Sequence, residues 1–501
     1  MTKSTNSPTI KTKWRKPRSF DRNLVVIGAG SAGLVSAYIA SAVKAKVTLV
    51  EKHKMGGDCL NTGCVPSKAL IRSAKLLSQL ARSGELGIRN VEVDFNFADI
   101  MERVQRVIKT VEPHDSVERY TKLGVDVVEG TAKITFPWSV EITGASGTQT
   151  LTTRSIIIAT GARPFVPDIP GIEEIGYLTS DSVWDIRQQP KRILILGGGP
   201  IGCELAQAFS RLGSRVTLLQ RRSRLLPKED PEVSTMVLER FQQEGIDVQL
   251  QHQPKEFHVV DGEKRVTCTN LSNQNSDTQI PFDQILLALG RSANTSGFGV
   301  EELNIPLNDN GTIKVNDYLQ TSYRNIYACG DVAGPYQYTH AAAHQSWYST
   351  VNALFDPLKK FKADYSVIPH ATFVDPEVAR VGINELEAKQ QGIAYEVTSY
   401  GIDDLDRAIA DETAHGMVKV LTVPGKDKIL GVTIVGEHAG DLIAEFVLAM
   451  RHGIGLNKIL GTIHIYPTLA EANKYVAGNW KRAHAPEGLL NWVERFHRWR
   501  R

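Results

Sequence analysis

A chain of 501 residues is long enough for two to four domains with well-filled cores. Its 42% hydrophobic and 23% charged content is ordinary for a globular protein, and a net charge of +3 is too small to argue for a nucleic-acid partner. Five scattered cysteines (Cys59, Cys64, Cys203, Cys268, Cys329) exclude a secreted disulfide scaffold and fit a reducing, cytoplasmic setting. No apolar run reaches the roughly 20 residues that span a bilayer.

Residues 1–22 are polar and basic, without the apolar centre of a secretory signal, and read as a disordered tail. The run Leu24 to Ile27 then reads as a buried strand. Gly28-Ala29-Gly30-Ser31-Ala32-Gly33 follows, then a helical stretch from Leu34 to Ala42 and a second strand ending at Glu51. The first glycine makes the turn, the second lets backbone approach a pyrophosphate, and the third lets helix pack on strand. The helix N-terminus offers free N–H groups and positive dipole to the phosphates.

Shortly after comes Gly56-Gly57-Asp58-Cys59-Leu60-Asn61-Thr62-Gly63-Cys64-Val65-Pro66-Ser67-Lys68. In a regular helix, residues five apart have Cα atoms roughly 8–9 Å apart, too far for a disulfide. Gly63 can supply a backbone distortion, and Pro66 is best placed near a helix start. C-x4-C is a poor zinc spacing and no second ligand pair completes it, so no structural metal is expected. The segment reads as a bent junction that presents two thiols to something that exchanges electrons with them. Cys203, Cys268 and Cys329 lie in apolar or strand-like surroundings and read as bystanders.

The nucleotide signal recurs. Arg192 to Leu196 is followed by Gly197-Gly198-Gly199-Pro200-Ile201-Gly202, a helix from Glu204 to Leu212 and a strand ending at Gln220. Glu51 lies 23 residues after Gly28, and Gln220 lies 23 after Gly197. Two strand–turn–helix–strand units of equal spacing predict two dinucleotide-binding Rossmann units. Their strand ends differ. Glu51 suits a ribose diol. Gln220, followed by Arg221, Arg222 and Arg224, presents no carboxylate to repel a 2′-phosphate and offers guanidiniums to clamp it, so NADPH is expected over NADH.

Thr160-Gly161 and Leu289-Gly290-Arg291 are further turns after strands, and Ile326 to Val332 is a short strand–Gly–acid element ending near Asp331. Beyond about residue 365 the texture changes. Val418 to Val423 and Ile429 to Val435 read as paired strands and Ala439 to His452 as an apolar helix, within a separate α+β domain. The last residues carry Leu489, Trp492, Val493, Phe496 and Trp499 at helical spacing, opposite Arg495, Arg498 and Arg501. Packing on the body or on a second subunit is the first expectation for this tail, and a peripheral membrane contact the second.

Taken together, both glycine turns, Gly57 to Lys68, Thr160-Gly161, Glu204, Cys329-Gly330-Asp331, Asp375-Pro376-Glu377 and the segment around Tyr466 make the chain resemble the flavin-dependent pyridine nucleotide–disulfide oxidoreductases. That class includes dihydrolipoamide dehydrogenase, glutathione reductase and mercuric reductase. The resemblance runs from about Asn23 to Ala477 and implies an α/β fold with FAD and NAD(P) Rossmann-like domains and a C-terminal α+β dimerisation domain. The boundaries expected are 23–160 and 291–365 for FAD, 161–290 for NAD(P)H, 366–480 for the dimer interface and 481–501 for the tail. Gly28, Gly30, Gly33, Glu51, Gly57, Gly130, Thr160, Gly161, Gly290 and Asp331 would serve FAD or the approach to it. Gly197, Gly199, Gly202, Arg221 and Arg222 would hold the nicotinamide cofactor, and Lys68 and Glu204 would pair beside the flavin. Electrons would pass from NADPH through FAD to a Cys59–Cys64 disulfide, with Cys64 facing the flavin and Cys59 meeting the acceptor. Lys68 and the helix N-terminus would favour the thiolate. In a homodimer, the partner would complete each site.

The chain departs from the disulfide reductases at one position. They carry a His-Pro-Thr whose histidine moves the thiol proton, with a Glu five residues on. Here Tyr466-Pro467-Thr468 replaces it, with Glu471 in place and His464 two residues earlier, on the same face if the segment is extended. A phenol is a poor proton shuttle at neutral pH. The tyrosine resembles mercuric reductase, where Cys59 and Cys64 would transiently ligate the substrate metal. The delivery cysteines of that enzyme are missing, since no cysteine follows Cys329. The expectation is therefore a mercuric reductase-like enzyme whose acceptor is a metal ion or another small molecule. The alternatives are a dihydrolipoamide dehydrogenase or other disulfide reductase, and a membrane-associated redox-sensing subunit.

Overall fold

The computed structural model describes residues 14–272 and 276–501; the expectation for residues 1–13 lies outside them. The chain forms two compact units. The first comprises residues 14–61, Ile108–Arg163 and Arg291–Ala363, and the second comprises Thr62–Val107, Pro164–Gly290 and Asp364–Arg501.

The first unit is built on the strand Arg22–Ile27, which pairs in parallel with Val47–Glu51 on one side and Gly147–Ile158 on the other. Asp126–Glu129 extends one edge, and Ile326–Ala328 pairs with the far half of Gly147–Ile158. The near half of that long strand turns away into a meander with Ser139–Gly144 and Thr131–Phe136. Leu24 and Val26 join one core with the helices Ser31–Ala42 and Thr339–Phe355, while Val25 and Ile27 join another with Ile134, Ile142 and Ile313. Burial on both faces explains why the strand reads as an unbroken apolar run. Trp14, inside the basic N-terminal stretch, packs edge-on against Phe136 with ring centroids 4.9 Å apart.

The second unit repeats the motif. Its parallel sheet runs Asp247–Leu250, Arg215–Gln220, Arg192–Leu196, Gln284–Leu287 and Leu178–Thr179. The antiparallel strands His252–Val260, Glu263–Asn270 and Ser276–Phe282 form an insertion that the sequence reading did not mark. The C-terminal part is a five-stranded antiparallel sheet in the order Pro369–Thr372, Glu377–Gly382, Ile429–Gly436, Met417–Thr422 and Glu396–Gly401. Helices Ala439–Arg451 and Glu471–Ala483 cover it through Ile443, Phe446, Val476 and Trp480. Among the described residues, no helix is long and apolar enough to cross a membrane.

The expected helix Glu204 to Leu212 starts earlier, at Pro200, because Pro fits the first helical position. The tail does form a helix, Glu487–Arg500, but none of its residues is buried in this chain. Within this chain the stripe is not covered, which leaves the expected packing on a second subunit untested.

Candidate active site

The two glycine turns share one geometry. Gly28 and Gly197 have φ of +100° and +108°, and a Cβ on either would meet a carbonyl oxygen, of Ala159 or Ala288, at 2.4 Å. Only glycine fits both demands. A Cβ on Gly33 or Gly202 would lie 1.7 or 1.8 Å from the carbonyl oxygen of Gly28 or Gly197, so these glycines set how closely each helix approaches its strand. Gly30 and Gly199 cap the helices Ser31–Ala42 and Pro200–Arg211, leaving N–H groups of the first turn free for phosphates.

In the first unit this turn meets a second glycine surface. A Cβ on Gly57 would lie 2.6 Å from the Gly30 Cα, and the Gly56 N–H donates to the Ala29 carbonyl at 2.9 Å. Such a backbone-lined cradle fits the pyrophosphate of FAD, which side chains would exclude. Glu51, at the strand end, accepts from the Ala29 N–H at 2.7 Å and the His53 N–H at 2.8 Å, which fixes its carboxylate with lone pairs remaining for a ribose diol. The Gly130 N–H donates to the Glu51 carbonyl at 2.8 Å. The Thr160 hydroxyl donates to the Asn294 carbonyl at 2.7 Å, and the Gly161 carbonyl accepts the Asn294 N–H at 3.0 Å.

Asp331 lies 3.8 Å from the Arg291 guanidinium, which also pairs with Asp58. Burial pushes the Asp331 carboxyl up to about 6; Arg291 opposes the shift and Asp58 adds to it. Sequence reasoning quoted Arg291 and Asp58 but gave neither a role. The position of Asp58 next to Cys59 was the available signal.

Cys59 lies in the short helix Gly57–Asn61, and Cys64 is the first residue of the helix Cys64–Ala81. Between them Gly63 sits at φ −120° and ψ −105°, outside the helical region, and Pro66 takes the third position of the new helix. Trp184 donates its indole N–H to the Thr62 carbonyl at 2.8 Å and to the Ser180 carbonyl at 2.6 Å, so it tethers the link between the cysteines. Nothing in the sequence flagged this tryptophan. Cys203, Cys268 and Cys329 are buried; burial raises all three thiols, Cys268 to about 12.

In the second unit Lys68 meets Glu204 at 2.8 Å. The other Glu204 oxygen accepts the Phe373 N–H at 2.9 Å, and the Lys68 ammonium lies 4.3 Å from the Phe373 ring centroid. Gln220 is buried against Gly198, and its side-chain oxygen accepts the Arg222 N–H at 3.3 Å. Arg221 and Arg222 are exposed, and among the described residues neither they nor Arg224 has a carboxylate partner. The Gly290 carbonyl accepts the Phe165 N–H at 2.9 Å.

His464 and Tyr466 would share a face only in an extended segment, and this segment is not extended. His464 turns inward, with its side chain 7% exposed, and binds Glu445 at 3.0 Å. Tyr466 is 65% exposed and donates its phenol to Asp406 at 2.9 Å. The expectation assumed an extended strand, whereas this segment is turns and loop, and Glu445 on the helix Ala439–Arg451 captures the histidine. His464 is a satisfied structural residue. Hydrogen bonding to Asp406 holds the Tyr466 phenol above its ordinary range. Glu471 is buried and accepts the Thr468 N–H at 3.3 Å and the Tyr475 phenol at 3.1 Å.

Residues 22–346 match the family described as pyridine nucleotide-disulphide oxidoreductase, and residues 368–477 match its dimerisation domain. The chain belongs to this family. It is a flavoprotein oxidoreductase that uses FAD and a pyridine nucleotide, with a disulfide redox centre and the family's dimerisation domain. It is 33% identical to a mercuric reductase of Lysinibacillus sphaericus over 455 residues, 91% of this chain and 82% of that protein. It is also 33% identical to a dihydrolipoyl dehydrogenase of Chlamydia trachomatis over 450 residues, 89% of this chain and 94% of that protein. Among solved structures, the Cu(II) complex of the HOCl-induced flavoprotein disulfide reductase RclA from Escherichia coli superposes with a TM-score of 0.80 at 25% identity. That match covers 91% of this chain and 99% of RclA.

Proposed function

We propose that this member of the family carries electrons from NADPH through FAD to Cys59 and Cys64, and from there to a soft metal ion such as Hg(II). The observation that carries this reading is the environment of Tyr466. At the position where disulfide reductases need a proton-moving histidine, a phenol is exposed and bonded to Asp406, and His464 is held by Glu445. Reducing a metal ion held by two thiolates needs less proton transfer than cleaving a disulfide.

Bound FAD would accept hydride from the nicotinamide and reduce the cysteine pair. The chain's own residues do the rest. Gly28, Gly30, Gly33 and Gly57 seat the pyrophosphate, Glu51 the ribose, and Asp331 the ribityl region. Gly197, Gly199 and Gly202 seat the nicotinamide cofactor, and Arg221 and Arg222 clamp its 2′-phosphate. Glu204 holds Lys68, one helical turn after Cys64, where its charge favours the thiolate. Cys59 meets the acceptor, and in a homodimer the partner's C-terminal domain would bring a phenol and a carboxylate over it. We place the reaction in the cytoplasm, where NADPH is available.

The test is anaerobic NADPH oxidation by the dimer, with Hg(II) buffered by excess thiol and oxidised lipoamide as parallel acceptors. Fast turnover with Hg(II) and little with lipoamide is expected; the reverse overturns the reading. That reverse is the second reading, a disulfide reductase, which the retained Glu471 and the equal identity to dihydrolipoyl dehydrogenase favour.

A further inference from the structure

The helix Glu487–Arg500 is unexplained by the redox chemistry. Leu489, Trp492, Val493 and Phe496 repeat every three or four residues and continue to Trp499, which places them on one side. Trp492 is 61% exposed and Trp499 80% exposed. The rings of Trp492 and Phe496 stack at 5.9 Å, and Arg500 reaches over Phe496 at 5.6 Å. Arg495, Arg498 and Arg501 line the other side, and Lys481 and Arg482 precede the helix, against only Glu487 and Glu494. Arg498 pairs with Glu494 at 2.7 Å, a contact exposed on both sides and therefore weak.

We propose that this helix lies flat on an anionic lipid surface, with its tryptophans at the headgroup level and its arginines on lipid phosphates. Charge complementarity favours that occupant. An apolar stripe flanked by arginines fits a bilayer interface, where aromatic rings sit at the boundary between headgroups and acyl chains and long cations reach outward. A second copy of this chain fits less well, since it carries a net +3 and no acidic excess to meet these arginines. The matched dimerisation domain also ends at residue 477, before the helix begins. The helix would hold the flavoprotein at a membrane surface whichever acceptor it serves.

The experiment is sedimentation of the FAD-loaded full chain with vesicles of phosphatidylcholine alone or mixed with phosphatidylglycerol, at low and high salt, with mass measured by light scattering. Binding to the phosphatidylglycerol vesicles is expected, at least tenfold stronger than to phosphatidylcholine and weakened by salt. Trp492→Ser with Trp499→Ser, and separately Arg495→Glu with Arg498→Glu, should each weaken it at least tenfold while the mass and NADPH oxidation with an artificial acceptor stay unchanged. Failure to sediment with phosphatidylglycerol vesicles, equal binding by the variants, or dissociation of the dimer in the tryptophan variant would each overturn the proposal. The last would assign the helix to a subunit contact. None of these outcomes depends on which acceptor Cys59 serves.

Discussion

Replacing Lys68 by Met tests whether this side chain supports the Cys64 thiolate. Cys64 opens the helix Cys64–Ala81 and Lys68 lies four residues on, so their Cβ atoms are about 5–6 Å apart. Two unit charges about 6 Å apart interact by about 0.7 kcal/mol at the dielectric of water and about 3 kcal/mol at an effective value of 20. Cys64 is exposed and the Lys68 side chain is 37% exposed, so the lower end applies, and Glu204 at 2.8 Å cancels part of the field. About 0.5 kcal/mol remains, or roughly twofold in thiolate population. The assay is iodoacetamide alkylation at pH 7 in a reduced Cys59→Ser background. Cys203, Cys268 and Cys329 do not compete, because burial both shields and raises their thiols. Lys68→Met should slow the reaction about twofold, and Lys68→Arg, which keeps the charge, should leave the parent rate unchanged. The single variant also leaves Glu204, 7% exposed, without its cation. Lys68→Met with Glu204→Gln should therefore regain thermal stability while alkylation stays slow. An unchanged or faster rate in Lys68→Met would refute the reasoning.

The other predictions concern the cofactor clamp, the acceptor and pH. Arg221→Ala with Arg222→Ala should raise KM for NADPH at least about tenfold and leave KM for NADH nearly unchanged, because charged hydrogen bonds of about 1.5–3 kcal/mol are lost only where a 2′-phosphate exists. Equal loss with both cofactors would show that the arginines do not read the phosphate. Tyr466→His, with Glu471 retained, should raise lipoamide turnover on the order of a hundredfold, the lower range of acid–base catalysis. No gain would mean that the tyrosine is not what limits disulfide chemistry. The folded protein holds the Asp331 proton up to about 6 whereas the unfolded chain releases it near 3.8. The folded state therefore binds the proton more tightly, and the flavin-free protein should lose up to about 3 kcal/mol as pH rises from about 4 to about 6. Denaturation of Asp331→Asn across that range should show a flatter profile; a parallel profile would assign the dependence to other groups.

The two nucleotide units were legible because their glycines answer a steric demand that no other residue meets. Gly28 and Gly197 must take positive φ beneath a carbonyl, and buried parallel strands must be apolar on both faces. Pro66 near a helix start was legible for the same local reason. What was not legible depended on distant partners. Period two would put His464 on the face of Tyr466 only in an extended segment, and Glu445, from another helix, decides where the imidazole goes. Lys419 is buried among Asp230, Glu232 and Glu385, and a lone lysine in the strand Met417–Thr422 was the only hint. The tail's periodicity predicted its helix, while its docking surface could not follow from periodicity at all.

The separation of His464 from Tyr466 also narrows what this site can do. Proton transfer to a leaving thiolate needs a group that titrates near neutrality and is free to reach the sulfur. His464 is buried against Glu445, and its ring nitrogens are engaged by that carboxylate and by the Thr462 carbonyl at 3.0 Å. Releasing it would cost both contacts and leave Glu445 with Asn473 as its remaining partner. Tyr466 is exposed, but hydrogen bonding to Asp406 moves its phenol further from neutrality. The exposed group is therefore a phenol pushed away from neutrality, and the imidazole is held by Glu445. If neither side chain moves a proton to sulfur, the proposed acceptor is one that takes electrons without needing it, as a thiophilic metal ion does.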